Sequence, residues 1–167
     1  MPHSEPYVVH HTPGRVAMMP RPGRNVQLDA DLAQLRAAHG VDVVVCALSE
    51  DELELLGLLG EAHAVRRAGM RFEHFPIGDH DVPEFAPYLA LTARLAADVT
   101  AGAYVVAHCW AGIGRSGLLA GGVLIHLGLS AQQAMARLTE ARGLPSPETR
   151  SQRDILVRLA ETVAPSI

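Results

Sequence analysis

Apolar positions along the chain follow two rhythms. Val16–Met19, Val41–Leu48 and Ala103–His108 are short, mostly apolar runs rich in valine, the composition of strands buried on both faces. Arg71–Phe75 alternates and reads as a fourth strand. Between these runs the spacing is helical. Asp29–Ala38 places Leu32 and Leu35 on one face, with Asp29 or Asp31 positioned to cap and Gly40 to stop it. Asp51–Arg67 follows a capping Ser49 and ends before Gly69, and Glu84–Ala101 ends at Gly102. Arg115–Leu127, Ser130–Arg142 and Pro147–Val163 are predicted to close the chain as helices. Strands alternating with helices predict a three-layer α/β/α domain with a central, mostly parallel sheet. Residues 1–14 read as an irregular N-terminal arm and residues 15–167 as a single domain, with no linker or internal repeat.

Composition narrows the class. A chain of 167 residues with 49% hydrophobic and 19% charged residues is long and apolar enough for one substantial core. The net charge of −4 argues against a nucleic-acid partner held by overall charge. All fourteen basic residues are arginine, which, with the Ala, Gly and Leu content, suggests GC-rich bacterial coding. Two cysteines, Cys46 and Cys109, are too few for a disulfide scaffold. No signal pattern opens the chain, and the longest apolar stretch, Gly117–Leu129, is too short to span a bilayer. A reducing, cytoplasmic setting with no membrane partner is the expectation. His3, His10 and His11 lack an ordered spacing or a Cys or carboxylate partner, so no metal is expected there.

The chemistry concentrates in His108-Cys109-Trp110-Ala111-Gly112-Ile113-Gly114-Arg115-Ser116. This run joins the end of a predicted buried strand to the start of a predicted helix, the place where open α/β sheets bind ligands. Backbone N–H groups of Trp110, Ala111, Gly112, Ile113, Gly114 and Arg115 can converge there with the positive end of the helix dipole to hold a phosphate. Gly112 and Gly114 permit the turn, and the Arg115 guanidinium matches two phosphate oxygens. The same field favours the Cys109 thiolate, and Ser116 can donate its hydroxyl to that sulfur. His108 is expected to point into the body and bond the turn as structural support. Trp110 is expected to pack beneath the cup, and Arg21 and Arg24 to lie on a solvated loop. Without the surrounding pattern Cys109 would read as a small strand-end hydrophobe.

These residues resemble the signature of the cysteine-dependent protein tyrosine and dual-specificity phosphatases, over Arg15 to Leu159. The match looks closest to the compact group that includes the cyclin-kinase-associated phosphatase. The resemblance implies the (phosphotyrosine protein phosphatase)-like fold, a phosphorylated protein as partner, a phosphocysteine intermediate on Cys109, and no cofactor or metal. Phe75-Pro76-Ile77-Gly78-Asp79, with Pro83 four residues on, resembles the general-acid loop. Asp79 and Asp81 both lie on that loop, and the family register favours Asp79. Thr149-Arg150-Ser151-Gln152 resembles the segment supplying a water-positioning glutamine, which would be Gln152. Lipid phosphatases of the superfamily carry lysines in the loop where this chain has Trp110 and Ile113, so a monophosphate ester, most simply phosphotyrosine, is implied. A cysteine stands near Cys46 in related enzymes, which makes Cys46 a candidate redox partner for Cys109. Two rival readings remain at this level: a rhodanese-like sulfurtransferase or arsenate reductase, which also uses a Cys-loop-Arg cup, and a non-catalytic phosphate-binding module.

Overall fold

The central strand of the sheet is Tyr104–His108 (β5), and its residues are buried throughout. A computed structural model describes residues 2–164, so Met1 of the predicted arm and the last three positions of the predicted domain lie outside the described residues. Around β5 the strand order is β1-β2-β5-β3-β4, with β1 at Tyr7–His10, β2 at Arg15–Met19, β3 at Val43–Cys46 and β4 at Arg71–His74. All neighbours pair in parallel except β1, which lies antiparallel to β2 at the edge. The mostly parallel sheet predicted from the alternating pattern is therefore present.

Helices cover both faces, as valine-rich strands require. On one face lie Leu28–His39 (α1), Glu50–Leu55 (α2) and Glu61–Arg67 (α3). There Leu32, Leu35, Ala64 and Val65 pack on Ala17, Val44 and Val106. The other face carries Phe85–Thr100 (α4), Arg115–His126 (α5), Ala131–Arg142 (α6) and Arg150–Val163 (α7). These pack on Val16, Met18, Val45 and Val105. Helix α5 is buried along nearly its whole length, which fixes the loop that precedes it.

Three departures from the sequence-based expectations have physical causes. The arm is not loose: its residues 7–10 form β1. Buried Asp31 accepts bonds from Ser4 N (2.7 Å), Ser4 Oγ (2.6 Å) and Gly23 N (2.8 Å), which moors the segment ahead of β1. Asp31 is thus used as an anchor rather than as a cap, and the N-cap of α1, Gln27, makes no side-chain capping bond. The single helix expected over Asp51–Arg67 breaks into α2 and α3, because Gly57 adopts a left-handed φ of 70° that ends the first of them.

Candidate active site

The loop between β5 and α5 is wrapped around uncommitted amides. Its carbonyls are held outward one by one. Trp110 O accepts from Arg21 N (3.2 Å), Gly112 O from Arg142 Nε (2.8 Å), Ala111 O from an Arg142 terminal nitrogen (3.3 Å) and Ile113 O from Ser146 Oγ (2.6 Å). Gly114 O accepts from Leu118 N (2.9 Å) and starts the helix. Among the described residues no hydrogen bond uses the N–H of Trp110 to Gly117 as donor. With the carbonyls bonded on the outside, these donors are free for an anion on the inside. Gly112 is required by its geometry: its φ is 75°, and a methyl there would collide with the Met19–Pro20 backbone.

Cys109 Sγ sits at the base of this loop, 3.3 Å from Ser116 Oγ, and the residue is buried. The sulfur, Arg115, Asp79, His80, Trp110, Ala111 and Glu148 line a cavity of about 250 Å³. That volume suits a phosphate group and part of its ester.

Arg115 is only 2% exposed yet charged, because it is held on three sides. Its two terminal nitrogens donate to Glu52 Oε1 (2.6 Å) and Oε2 (2.9 Å), and one also donates to Ile77 O (2.9 Å). Asp79 Oδ1 lies 3.3 Å from the guanidinium. Burial works against the charge of Arg115, but the bonds and field of Glu52 override it and hold the group above its ordinary basicity. Glu52 itself is fixed by helix capping: Ser49 Oγ accepts from Glu52 N, and Glu52 Oε1 accepts from Ser49 N (3.0 Å). Burial pushes the Glu52 carboxyl up, yet Arg115 and the Ser49 amide hold it below the usual carboxylate value.

A carboxyl whose folded value is depressed adds stability above its unfolded value, and loses that stability as pH falls through the folded one. Glu52→Gln is therefore expected to melt at a lower temperature than the parent protein at neutral pH. The gap should persist through the ordinary carboxylate range and close only at more acid pH. Thermal melts of both proteins from neutral pH down to pH 3 check this, and a gap independent of pH would contradict it.

The structure brings Asp79, not Asp81, to the cavity. Asp81 Oδ1 is turned to Val82 N (2.8 Å) on the surface. Asp79 is 57% exposed at the mouth of the cavity. His80, between them, is held at φ 61° and lies 3.4 Å from Asp79 and 3.6 Å from Glu148. Gln152 is buried and completes the capping box of α7, whose N-cap is Thr149. Its Oε1 accepts from Glu148 N and Thr149 N (both 3.2 Å), and its Nε2 donates to Asp81 O (3.2 Å), tying the acid loop to α7. It lies against Gly114 of the cup but does not line the cavity.

One expectation is corrected. Trp110 is not beneath the cup: it is 37% exposed and forms part of the mouth, with the Arg21 guanidinium 5.5 Å from its ring centroid. The loop turns outward immediately after Cys109, which carries the next side chain to the rim. Cys46 is free, as is Cys109, and the two sulfurs face different ways. Cys46 lies beside His108 in the sheet register and packs toward α2, whereas Cys109 belongs to the cluster on the other face. Alternation along a strand produces this separation.

His108 does point into the body, and its Nδ1 lies 3.3 Å from Cys109 O. Glu52, Arg142, Ser146, Glu148 and Glu61 were not legible as site residues. Only the Ser49-x-x-Glu52 capping box carried a signal, and it signalled a helix start rather than an arginine clamp.

Comparison with known proteins fits this geometry. The rat cyclin-dependent kinase inhibitor 3 is 27% identical over 143 residues, covering 84% of this chain, and the human protein is 26% identical over the same length. The chain spans 66% of the length of these curated relatives. Among solved structures, Tk-PTP in its active form is 25% identical with a TM-score of 0.77, covering 95% of this chain and 97% of that one. A kinase-associated phosphatase whose catalytic-site cysteine is replaced by serine superposes with a TM-score of 0.84 at 20% identity, covering 99% and 97%. Residues 17–129, which include the acid loop and the whole cup, match the family model described as "Polymorphic toxin system, DSP-PTPase phosphatase". The chain belongs to this family of DSP-PTPase phosphatases.

Proposed function

We propose that this protein hydrolyses phosphomonoesters on proteins, with phosphotyrosine as the preferred ester, through a phosphocysteine on Cys109. The observation that carries the reading is the cup itself: the carbonyls of Trp110, Ala111, Gly112 and Ile113 bonded outside the loop, the loop amides left without a protein partner around a buried sulfur, and a clamped guanidinium closing the site. A phosphoryl group in flight spreads its charge over three oxygens, and fixed N–H donors plus Arg115 meet that charge without reorganising.

In the first step Cys109 Sγ attacks phosphorus as the P–O bond breaks, and Asp79 gives its proton to the departing oxygen. In the second, water attacks the phosphocysteine, Asp79 takes the water's proton, and Ser116 donates to the sulfur as it leaves. Gln152, whose side chain does not line the cavity, enters the scheme by tying the acid loop to α7 rather than by holding that water. Arg115 and the amides supply the charge stabilisation that a metal would otherwise provide, so no metal or cofactor enters the scheme. The sulfurtransferase and arsenate reductase readings lose ground to family membership and to an acid placed at the mouth.

Phosphotyrosine is favoured by the rim. Trp110 offers a ring face beside the cavity, and Arg21 stacked on it keeps the indole in place. A second wall of Asp79 and Glu148 adds negative charge, which disfavours esters carrying further phosphates. The protein partner is thus a phosphorylated protein rather than a nucleic acid or a membrane. No helix among the described residues is long and apolar enough to cross a membrane, and with two free cysteines a reducing bacterial cytoplasm is the setting proposed.

Asp79→Asn tests the acid. With an alkyl phosphate, whose leaving group needs the proton, turnover is expected to fall about 10²-fold or more, and much less with a p-nitrophenyl ester. Equal losses on both esters would contradict the role. Wild-type hydrolysis of the aryl ester should survive excess chelator. Absence of any hydrolysis, with phosphopeptide still bound, would replace the proposal with the binding-module reading.

A further inference from the structure

The rim of the cup is charged unevenly, and the order of the strands makes it so. Strand β5 carries the cup and lies between β2 and β3, with β4 beyond β3. The loop leaving β2 brings Arg21 and Arg24 to one side of β5, and the loop leaving β4 brings Asp79 and His80 to the other. Glu148, ahead of α7, shares the cavity wall with Asp79 and His80, and His80 stands 3.4 Å from Asp79 and 3.6 Å from Glu148. One side of the mouth therefore carries two arginines and the other two carboxylates.

The two arginines have no counter-charge. Among the described residues no carboxylate lies within 4.0 Å of either. Arg21 is bonded through its backbone N to Trp110 O, and its guanidinium lies over the Trp110 ring, so its charge is held beside the mouth. Burial, and after it the charge of Arg24, keep Arg21 below the ordinary arginine basicity. Arg24 is exposed. From it a groove of about 520 Å³ runs between residues 23–28 and 56–58, room for a short stretch of extended polypeptide. Two like charges held together without a carboxylate are stabilised by an anion supplied from outside.

We propose that Arg21 and Arg24 form a specificity subsite for an acidic residue of the substrate polypeptide, on one side of the phosphotyrosine only. The phosphate lies against Cys109 at the base of the cavity, so the aromatic ring passes Trp110 and the substrate main chain lies across the rim. An Asp or Glu side chain next to the phosphotyrosine then meets the guanidinium forks of the arginine side. On the other side of the phosphotyrosine the same side chain meets Asp79 and Glu148 and is repelled. The subsite reads the order of charge along the polypeptide as well as its sum. This inference rests on the phosphotyrosyl-protein reading of the site.

Two capped phosphotyrosyl peptides of identical composition test it. One carries a pair of glutamates directly before the phosphotyrosine, the other carries the pair directly after it, and the remaining positions are glycine and alanine. Phosphate release by the wild-type protein should give kcat/KM values about fivefold apart at low ionic strength, the scale of one or two exposed ion pairs. The gap should narrow in about 0.5 M salt. In Arg24→Glu the ratio of the two values should fall to about one or invert, and taking the ratio removes any general change in activity. Equal kcat/KM for the two peptides, or a ratio that Arg24→Glu leaves unchanged, would overturn the proposal. A wild-type protein that hydrolyses neither peptide would sink the phosphatase reading instead. Calorimetric titration of the same peptides into that protein would then judge the subsite by itself. Affinities about fivefold apart that become equal in Arg24→Glu would sustain it, and equal affinities or no binding would overturn it.

Discussion

Cys109→Ser is expected to abolish hydrolysis while keeping the fold and the capacity to bind phosphate. Removing the nucleophile of an enzyme that works through a covalent intermediate costs about five to six orders of magnitude in turnover. The serine hydroxyl is nearly the same size as the thiol but stays protonated at neutral pH, and Asp79, which acts as the acid in the first step, is not available as a base to activate it. The carbonyl bonds to Arg21, Arg142 and Ser146 do not involve the sulfur, so the amides should remain turned inward. The variant should therefore retain phosphotyrosyl peptide on a column or in calorimetry with an affinity close to that of the parent protein. Residual turnover of more than a few per cent would mean that Cys109 is not the attacking group.

Arg115→Lys should lower turnover less steeply, by about 10³-fold, since losing even one preorganised donor to a developing anion costs about 10²–10³-fold. Lysine keeps the charge but not the planar fork, and it cannot reach both Glu52 oxygens and a phosphate oxygen together. Arg115→Ala is a poorer probe. It strands Glu52 against an empty, partly buried space, and breaking a buried pair costs about 3–5 kcal/mol of stability. Steady-state kinetics with an aryl phosphate, paired with thermal melts, separate the two effects. Arg115→Lys should melt close to the parent and fail in kcat. A variant that melts normally and retains more than about a tenth of kcat would contradict the role assigned to the fork.

The layered fold was legible because its strands are valine-rich and its helices end on glycines, both local signals. Val43–Cys46 and Tyr104–His108 sit within the predicted strands, and helices α4 to α7 begin and end within about three residues of expectation. The edge strand Tyr7–His10 was not legible. A four-residue segment beside three histidines and a proline carries little pattern, and its order comes from pairing with Arg15–Met19 and from the Asp31 anchor. Both are contacts between separated parts of the chain.

The same division holds in the site. Cys109, Arg115, Ser116 and the glycines of the cup are contiguous in sequence and were read together. Asp79 was favoured over Asp81 only through the resemblance, whose acid loop has a proline where Pro83 stands. Glu52 and Glu61 lie on short helices where nothing local separates a buried carboxylate from a solvated one. Glu52 stands 63 positions from the arginine it clamps, and Glu61 stands 47 from the histidine it bonds. Trp110 was placed on the wrong side of the loop because the direction of a side chain in an irregular turn is set by backbone angles that its neighbours impose.

The central claim is that phosphorus becomes bonded to Cys109 during turnover, and rapid acid quenching tests it most directly. Protein mixed with an aryl phosphate for milliseconds, then denatured and digested, should yield a Cys109 peptide heavier by one phosphoryl group, in an amount that rises as product is released and then holds steady. The same peptide from Cys109→Ser should carry none. Steady turnover with no label on the Cys109 peptide, or with the label on another residue, would contradict the account.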